Sequence, residues 1–274
     1  MRSIAVARQS RSKLGDSSLR SEQAPQSQHK EISTPFGLAM TILEDRIYMG
    51  NLKRRWLHKI NAVVFDFDGT LAVLNIDFSE MRERVFELTR EYRVNEGLIA
   101  ERYLLEMIDE VFQILNQRNN STADEFYERS HQILHEVELQ AAEEGKLIPG
   151  AKKTLKSLRK KGMKVGIVTR NCEKAVRKVF PDIGDYCDVF ISRDSIKKVK
   201  PHPDHLTSVI KVLGVSGEET VMVGDHTIDI QAGKRVGMRT VGVLTGRTQR
   251  EEFEKAGADY ILKEATEIRE LLEK

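Results

Sequence analysis

The sequence predicts an α/β protein, built as a doubly wound parallel sheet with an inserted α-helical domain. Short apolar runs recur along the chain, and segments with helical periodicity separate them, which is typical of such a sheet. From Asp66 to Thr169, the ends of the first two runs, the chain advances 103 positions, far more than one crossover helix needs. A separate unit is therefore expected between them. The predicted boundaries are 1–58 for an N-terminal extension, 59–75 and 147–274 for the core, and 76–146 for the helical insertion.

The first predicted strand ends in two carboxylates. Residues 63–65 form the β-branched and aromatic run expected of a strand buried on both faces, and a turn at Gly69 ends it. Asp66 and Asp68 follow this run directly, at the strand end where ligands bind in open α/β sheets. Two carboxylates so close to a buried strand are costly unless a cation, a proton or several donors compensate them. The pattern indicates a metal or phosphate site.

Two further places along the chain carry polar groups of the same kind. The run Lys164–Thr169 predicts a second buried strand that ends in a hydroxyl, which would point to the same side as Asp66. Lys200 stands before Pro201, and a second proline follows at Pro203. Because prolines fix the loop and withhold backbone donors, this lysine is expected to act through its ammonium group.

The fourth pattern again places carboxylates at a strand end. Residues 220–224 form an apolar run that ends in Gly224, and Asp225 and Asp229 follow it. Each of the four patterns has an ordinary structural explanation by itself, for example a helix cap or a surface lysine. Their occurrence together and in this order is far more specific.

The predicted insertion shows helical periodicity throughout. Apolar residues recur at intervals of three and four over 78–88, 104–115 and 126–139, which predicts three helices. The third helix is expected to begin at the capping-box pattern of Thr122 to Glu125. After Asp229 the chain predicts a helix, strands at 240–244 and 260–262, and a charged terminal helix.

Taken in order, these residues resemble the four signature motifs of the haloacid dehalogenase superfamily of phosphohydrolases, over about residues 61–274. The matches are Asp66 and Asp68 in the first motif, Thr169 in the second, Lys200 in the third, and Asp225 and Asp229 in the fourth. The resemblance implies a Rossmann-like sheet and a helical cap over the active site, as in the phosphoglycolate phosphatase branch. It also implies Mg²⁺ as the cofactor.

The resemblance further implies a role for each matched residue. Asp66 is then the nucleophile that attacks phosphorus, and Asp68 is the general acid and later the base. The expected catalytic residues are Asp66, Asp68, Thr169 and Lys200; the phosphate-binding residues are Thr169, Arg170, Asn171 and Lys200; the metal ligands are Asp66, Asp68, Asp225 and Asp229. The roles agree with physical chemistry, because a carboxylate that attacks a phosphate dianion needs positive charge nearby.

The function expected from this resemblance is the hydrolysis of a small phosphorylated metabolite through a phosphoaspartate. A sugar phosphomutase shares the two aspartates, but its fourth motif often carries Glu-Asp, whereas Gly224-Asp225 stands here. Pyrophosphatase or nucleotidase activity remains an open alternative, because no residue of the insertion identifies the leaving group of the substrate. A non-enzymatic phosphoacceptor or binding module would not need the insertion.

Composition bounds the remaining properties. Charged residues make up 31% of the 274 residues, the net charge is +2, and no apolar run is long enough to span a membrane. Residues 1–58 hold ten Lys or Arg and five Asp or Glu, and 1–35 read as disordered. Cys172 and Cys187 have no metal or disulfide spacing. We therefore expect a cytoplasmic protein without a nucleic-acid or membrane partner; the oligomeric state is left open.

Overall fold

A six-stranded parallel sheet forms the centre of the structure. This computed structural model describes residues 59–101 and 103–272, so the predicted N-terminal extension at 1–58 lies outside the described residues. The sheet contains strands β1 (Ala62–Phe65), β4 (Lys164–Val168), β5 (Val189–Ile191), β6 (Thr220–Gly224), β7 (Arg239–Val243) and β8 (Tyr260–Leu262), in the spatial order β5-β4-β1-β6-β7-β8. The fold is thus the predicted doubly wound, Rossmann-like sheet.

Strand β1 is buried on both faces, which explains its unbroken apolar sequence. Val63 and Phe65 belong to the hydrophobic cluster on one side of the sheet, while Ala62 and Val64 belong to the cluster on the other side. Successive side chains of a strand point to opposite faces, so one short run supplies both layers. This double burial fixes the position of β1 and of the residues at its end.

Helices cover both faces of the sheet. They are α4 (Ala151–Lys160), α5 (Glu173–Val179), α6 (Pro203–Leu213), α7 (Thr227–Arg235), α8 (Arg250–Ala256) and α9 (Ile268–Leu272). Leu155 of α4 and Ile268 of α9 pack on the same face as Val63, whereas Leu206 of α6 packs on the face of Val64. The apolar residues on the inner side of each helix therefore account for the layered architecture.

The strand order reverses direction beside β1. The chain runs from β1 to β4 and β5 on one side, and then continues on the other side of β1 with β6, β7 and β8. All five strand pairs of this sheet are parallel, so the carboxyl ends of the strands lie along one edge. A crevice at such a reversal is the usual ligand site of doubly wound sheets.

Three α-helices lie within residues 76–146, the interval predicted to be helical. They are α1 (Phe78–Glu91), α2 (Leu104–Asn116) and α3 (Asn120–Glu143), and we call them the helical insertion. A two-stranded antiparallel sheet, β2 (Ala72–Val73) with β3 (Lys146–Leu147), joins the two ends of the insertion. Buried residues such as Met107 of α2 and Phe126 of α3 belong to the same cluster as Phe65 of the sheet.

One prediction about local structure was wrong, and three short strands were missed. Helix α3 begins before Thr122, because the side chain of Asn119 accepts hydrogen bonds from the backbone N–H groups of Ser121 and Thr122 and so caps the helix earlier. Strand β5 and the small β2–β3 sheet were not predicted. These strands have only three and two residues, too few for a periodic pattern to show.

Among the described residues, no helix combines the length and the apolar character that a membrane crossing requires.

Candidate active site

The predicted site residues follow three strands or lie in a neighbouring loop and helix, and they meet at the carboxyl edge of the sheet. Asp66 follows β1, Thr169 follows β4 and Asp225 follows β6, each without an intervening residue. Asp229 lies in the first turn of α7, and Lys200 lies in the loop between β5 and α6. The parallel strands therefore deliver side chains that are far apart in sequence to one crevice beside the reversal at β1.

Lys200 joins two of the carboxylates. Its Nζ donates to Oδ1 of Asp66 at 2.7 Å and to Oδ1 of Asp229 at 2.6 Å. The Lys200 side chain is only 2% exposed, and Asp66 and Asp229 are 13% and 3% exposed. A buried ammonium held between two carboxylates has little freedom to move, so the ion-pair geometry is strongly fixed.

A buried histidine fixes the backbone of Lys200. His205 of α6 accepts a hydrogen bond at Nδ1 from the Lys200 backbone N–H, at 3.2 Å, and donates from Nε2 to the carbonyl of Ile191. Burial, together with the charge of Lys200, lowers the pKa of His205 to about 3. The ring is therefore neutral, which leaves Nδ1 free to accept, and the loop that carries Lys200 is tied to the end of β5.

The turn after β1 leaves room for Asp225. Gly69 has φ +77°, which favours glycine, and a Cβ there would lie 2.3 Å from Oδ2 of Asp225. Gly246 approaches the same oxygen from the end of β7, where a Cβ would lie 1.9 Å away. Thr245 donates a hydrogen bond to the carbonyl of Gly69 and links the two segments. Both glycines are required by the space that the Asp225 carboxylate occupies.

Negative charge exceeds positive charge in this crevice. Burial raises the pKa of Asp66, against the opposing effect of Lys200, and burial with the charges of Asp66 and Asp229 raises the pKa of Asp225 to about 9. Burial lowers the pKa of Lys200, but the carboxylates of Asp229 and Asp66 outweigh it and hold the pKa above its usual value. One ammonium thus contacts the carboxyl groups of Asp66 and Asp229, while the carboxyl group of Asp225 lies beside them without such a contact.

The residues present fit a divalent cation. Carboxylate oxygens of Asp66, Asp225 and Asp229 lie within 4.8 Å of one another. The three carboxyl groups carry more negative charge than the nearby Lys200 compensates. A set of oxygen ligands with such an excess of negative charge is typical of sites that bind Mg²⁺. Repulsion from the neighbouring carboxylates contributes to the raised pKa of Asp225. A bound cation would offset this repulsion.

Asp68 lies beside this group in a different environment. Its Oδ1 accepts a hydrogen bond from the backbone N–H of Leu74 at 2.9 Å. Burial, partly opposed by that hydrogen bond, raises the pKa of Asp68 to about 6. A carboxyl group with such a pKa can carry or accept a proton near neutral pH.

The three residues after β4 form one edge of the crevice. Thr169 is buried, and its Oγ1 accepts a hydrogen bond from the backbone N–H of Asn171 at 3.1 Å. The Nδ2 of Asn171 is buried and has no acceptor among the described residues. Thr169 and Asn171 therefore lie on one short, well-fixed segment with a free amide donor.

Arg170 faces the helical insertion. Its guanidinium donates two parallel hydrogen bonds of 2.8 Å each to the carboxylate of Glu106 in α2, and a third to the carbonyl of Lys200. It also lies 5.8 Å above the ring of Tyr103, which in turn meets the ring of His226 edge-on. The charge of Arg170, predicted to bind phosphate, is thus paired with Glu106 in this conformation.

A second, deeper ion pair joins the insertion to the core. Glu138 of α3 and Arg193, after β5, form a two-pronged pair in which both side chains are at most 5% exposed. Glu138 also accepts a hydrogen bond from the backbone N–H of Cys172 at 2.8 Å, and Arg193 donates to the carbonyl of Arg170 at 2.7 Å. The pair holds α3 against the segment that carries Thr169.

Sequence reasoning did not single out several residues that shape this site: Gly246, Thr245, His205, Glu106, Glu138 and Arg193. The pair Thr245-Gly246 had a usable signal, because it follows a predicted strand as Asp225 does. Charged residues on helices and in loops gave none, since most such residues are solvated.

The chain is similar to known proteins in sequence and in fold. The haloacid dehalogenase-like hydrolase family matches residues 63–243. Pyrophosphatase PpaX of Bacillus mycoides is 30% identical over 219 residues, which cover 78% of this chain and 97% of that protein.

Two solved structures have a similar fold. A predicted phosphoglycolate phosphatase from Haemophilus somnus has a TM-score of 0.54 at 18% identity, covering 78% of this chain and 98% of that one. A HAD phosphatase from Thermococcus onnurineus has a TM-score of 0.50 at 26% identity, with the same coverage. The first likeness concerns the fold alone.

Proposed function

Since this chain belongs to the haloacid dehalogenase-like hydrolases, we propose that it is a Mg²⁺-dependent phosphatase for a small phosphorylated metabolite, a phosphoglycolate-like monoester. The observation that carries the proposal is the buried contact of Lys200 with Asp66 and Asp229, beside Asp225. Such a site offers a fixed carboxylate nucleophile together with positive charge for the phosphoryl oxygens.

Asp66 and Asp68 have complementary roles in this proposal. A carboxylate oxygen of Asp66 attacks phosphorus, and an O–P bond forms while the bond from phosphorus to the leaving oxygen breaks. Asp68 gives its proton to that leaving oxygen and then takes a proton from the water that attacks the phosphorus of the aspartyl phosphate. The bond between phosphorus and the Asp66 oxygen breaks in this second step, so inorganic phosphate leaves and the Asp66 carboxylate is restored. The raised pKa of Asp68, about 6, supports this exchange of a proton in both directions.

The other residues bind and orient the phosphoryl group. Lys200 brings its ammonium to the attacking carboxylate, while Thr169 and the free Nδ2 of Asn171 supply donors for phosphoryl oxygens. Asp66, Asp225 and Asp229, with the carbonyl of Asp68, would hold Mg²⁺, which when bound offsets the negative charge of the phosphoryl group. The helical insertion acts as a cap that limits the entry of water.

The proposal is tested by phosphate release in the presence of Mg²⁺ from phosphoglycolate, sugar phosphates, nucleoside monophosphates and pyrophosphate. One strong substrate, with activity lost on chelation by EDTA, is expected. No release from any compound would contradict hydrolysis, and interconversion of sugar phosphates without net release would favour the mutase alternative. A stable phosphoprotein without turnover would favour a phosphoacceptor.

Pyrophosphate is a second candidate substrate. The relative from Bacillus mycoides carries the name pyrophosphatase, and it is similar to this chain over 219 residues. Arg170 supports the idea, because it stands next to Thr169 and could pair with a second anionic group in place of Glu106.

Glu106→Gln is expected to favour substrates that carry a second anionic group besides the phosphoryl group that is transferred. The change keeps the shape of the side chain but removes the charge that now pairs with Arg170. We expect the KM for pyrophosphate or phosphoglycolate to fall by roughly threefold to tenfold, about 1 kcal/mol, with no change for p-nitrophenyl phosphate. The exposed Glu128→Gln on α3 serves as a control. Equal effects on all substrates would show that Arg170 does not contact the leaving group.

Gly246→Ala is expected to weaken the use of Mg²⁺. The new methyl group would lie 1.9 Å from Oδ2 of Asp225 and would push that carboxylate out of the proposed metal site. The Mg²⁺ concentration for half-maximal activity should rise by about tenfold or more. Gly184→Ala is the matched control, because a Cβ there meets nothing within 4 Å. An unchanged Mg²⁺ requirement in the Gly246 variant would argue against Asp225 as a ligand.

A further inference from the structure

A second cluster of metal-ligating groups lies outside the proposed active site. It contains His135 of α3, Cys172 between β4 and α5, and Asp194, which follows β5. One ligand atom from each of the three side chains lies within 4.8 Å of the others. The three come from the insertion and from two core loops, so only the folded chain brings them together.

We propose that His135, Cys172 and Asp194 bind a divalent transition metal ion such as Zn²⁺, which joins α3 of the insertion to the core. Imidazole, thiolate and carboxylate are the three side-chain groups that bind Zn²⁺ in proteins. The mixture of sulfur, nitrogen and oxygen separates this cluster from the all-oxygen group at Asp66, which suits Mg²⁺. Three protein ligands leave the fourth position of a tetrahedral ion to water.

The geometry of the cluster supports the proposal. Nε2 of His135 and Oδ1 of Asp194 are 3.2 Å apart, and two ligand atoms of a tetrahedral zinc ion are separated by about 3.3 Å. The other oxygen of Asp194 is fixed by the backbone N–H of Glu173 at 2.8 Å, which orients the carboxylate towards His135. The sulfur of Cys172 lies within 4.8 Å of both of these atoms. Since ligand sulfur and nitrogen atoms of tetrahedral zinc are about 3.6 Å apart, the sulfur would move inwards by about 1.2 Å at most.

The free thiol is in its protonated form. Burial, with the nearby carboxylate of Glu138, raises the pKa of Cys172 to about 12, so the group is not poised as a nucleophile. Metal binding breaks the S–H bond, forms a bond from sulfur to the metal and releases the proton to solvent. The charge balance then improves, because the dication faces the Asp194 carboxylate and the new thiolate.

The proposed metal site lies where the helical insertion meets the core. Cys172 is three residues beyond Thr169, and Asp194 follows Arg193, the partner of Glu138. A metal ion here would add a third link between the helical insertion and the core, beside the Glu138–Arg193 pair of α3 and the Glu106–Arg170 pair of α2. It is therefore expected to hold the insertion against the core and to raise the thermal stability of the whole unit.

Cobalt titration of the full-length protein tests the proposal. Co²⁺ takes the place of Zn²⁺ and gives a thiolate charge-transfer absorption that oxygen ligands do not produce. With excess Mg²⁺ present to occupy the carboxylate group, one equivalent of Co²⁺ is expected to give this band, and Zn²⁺ is expected to displace it. Cys172→Ser should abolish the band, and His135→Ala and Asp194→Asn should weaken Co²⁺ binding by about tenfold or more.

Two matched variants make the outcome decisive. Cys187→Ser removes the other buried thiol and should keep the band, as should Asp66→Asn, which alters the proposed active site. His135 and Asp194 are more than one-third exposed, so their variants are expected to fold, and circular dichroism checks this. The proposal is overturned if no band depends on Cys172, or if the band remains at full strength in the folded His135 variant. Neither readout depends on phosphatase activity.

Discussion

Replacing Asp66 by Asn is expected to reduce phosphate release by about a thousandfold or more while the protein remains folded. The amide cannot form the aspartyl phosphate, so the loss should appear in kcat rather than in KM. The measurement is the rate of phosphate release from the preferred substrate at saturating Mg²⁺, together with trapping of the phosphoenzyme. The wild-type protein should give a trapped aspartyl phosphate and the variant none.

The structure explains why this variant should stay folded. Burial and the charge of Asp229 both raise the pKa of Asp66. Both effects disfavour the charged form of this carboxyl group, so its charge by itself does not stabilise the fold. The amide keeps an oxygen that can accept from Nζ of Lys200 and removes one of the crowded negative charges. Asp124→Asn, on the exposed side of α3, is the control for the same chemical change. A substantial residual kcat in the Asp66 variant would exclude Asp66 as the nucleophile.

The strands that are buried on both faces, and the residues at their ends, were predictable from sequence for a physical reason. A strand buried on both faces must be apolar along its whole length, so the run at 63–65 and the run at 220–224 are visible without a structure. A polar residue directly after such a run must lie at the edge of the sheet. That rule alone brings Asp66, Thr169 and Asp225 together before any distance is known.

The contacts of the insertion were not predictable in the same way. Glu106 and Glu138 occupy helical positions where most acidic residues face solvent, and their partners Arg170 and Arg193 follow strands far away in sequence. Only the docking of α2 and α3 on the core decides which charged residues become buried. The ends of short elements such as β5 were also not predictable, because three residues are too few to show a periodic pattern of apolar residues.

Replacing Lys200 by Met is expected to abolish activity and to lower the free energy of unfolding by about 3–5 kcal/mol when no divalent cation is present. Methionine is similar in volume, so the effect comes from charge rather than from a cavity. It leaves the carboxylates of Asp66 and Asp229 buried and without the ammonium that now lies 2.7 and 2.6 Å away. Denaturant unfolding in EDTA measures the loss.

The Lys200→Met variant also tests whether the crevice at Asp66 is a cation site. If Asp66, Asp225 and Asp229 bind Mg²⁺, the ion supplies positive charge to the group that has lost its lysine, and millimolar Mg²⁺ should stabilise the Lys200 variant more than the wild type. Lys197→Met, three residues earlier and exposed, should unfold like the wild type under both conditions. A Lys200 variant as stable as the wild type in EDTA would show that the buried ion pair is not needed. If the Lys200 variant is destabilised but its stability does not change with Mg²⁺, the three carboxylates do not form the metal site.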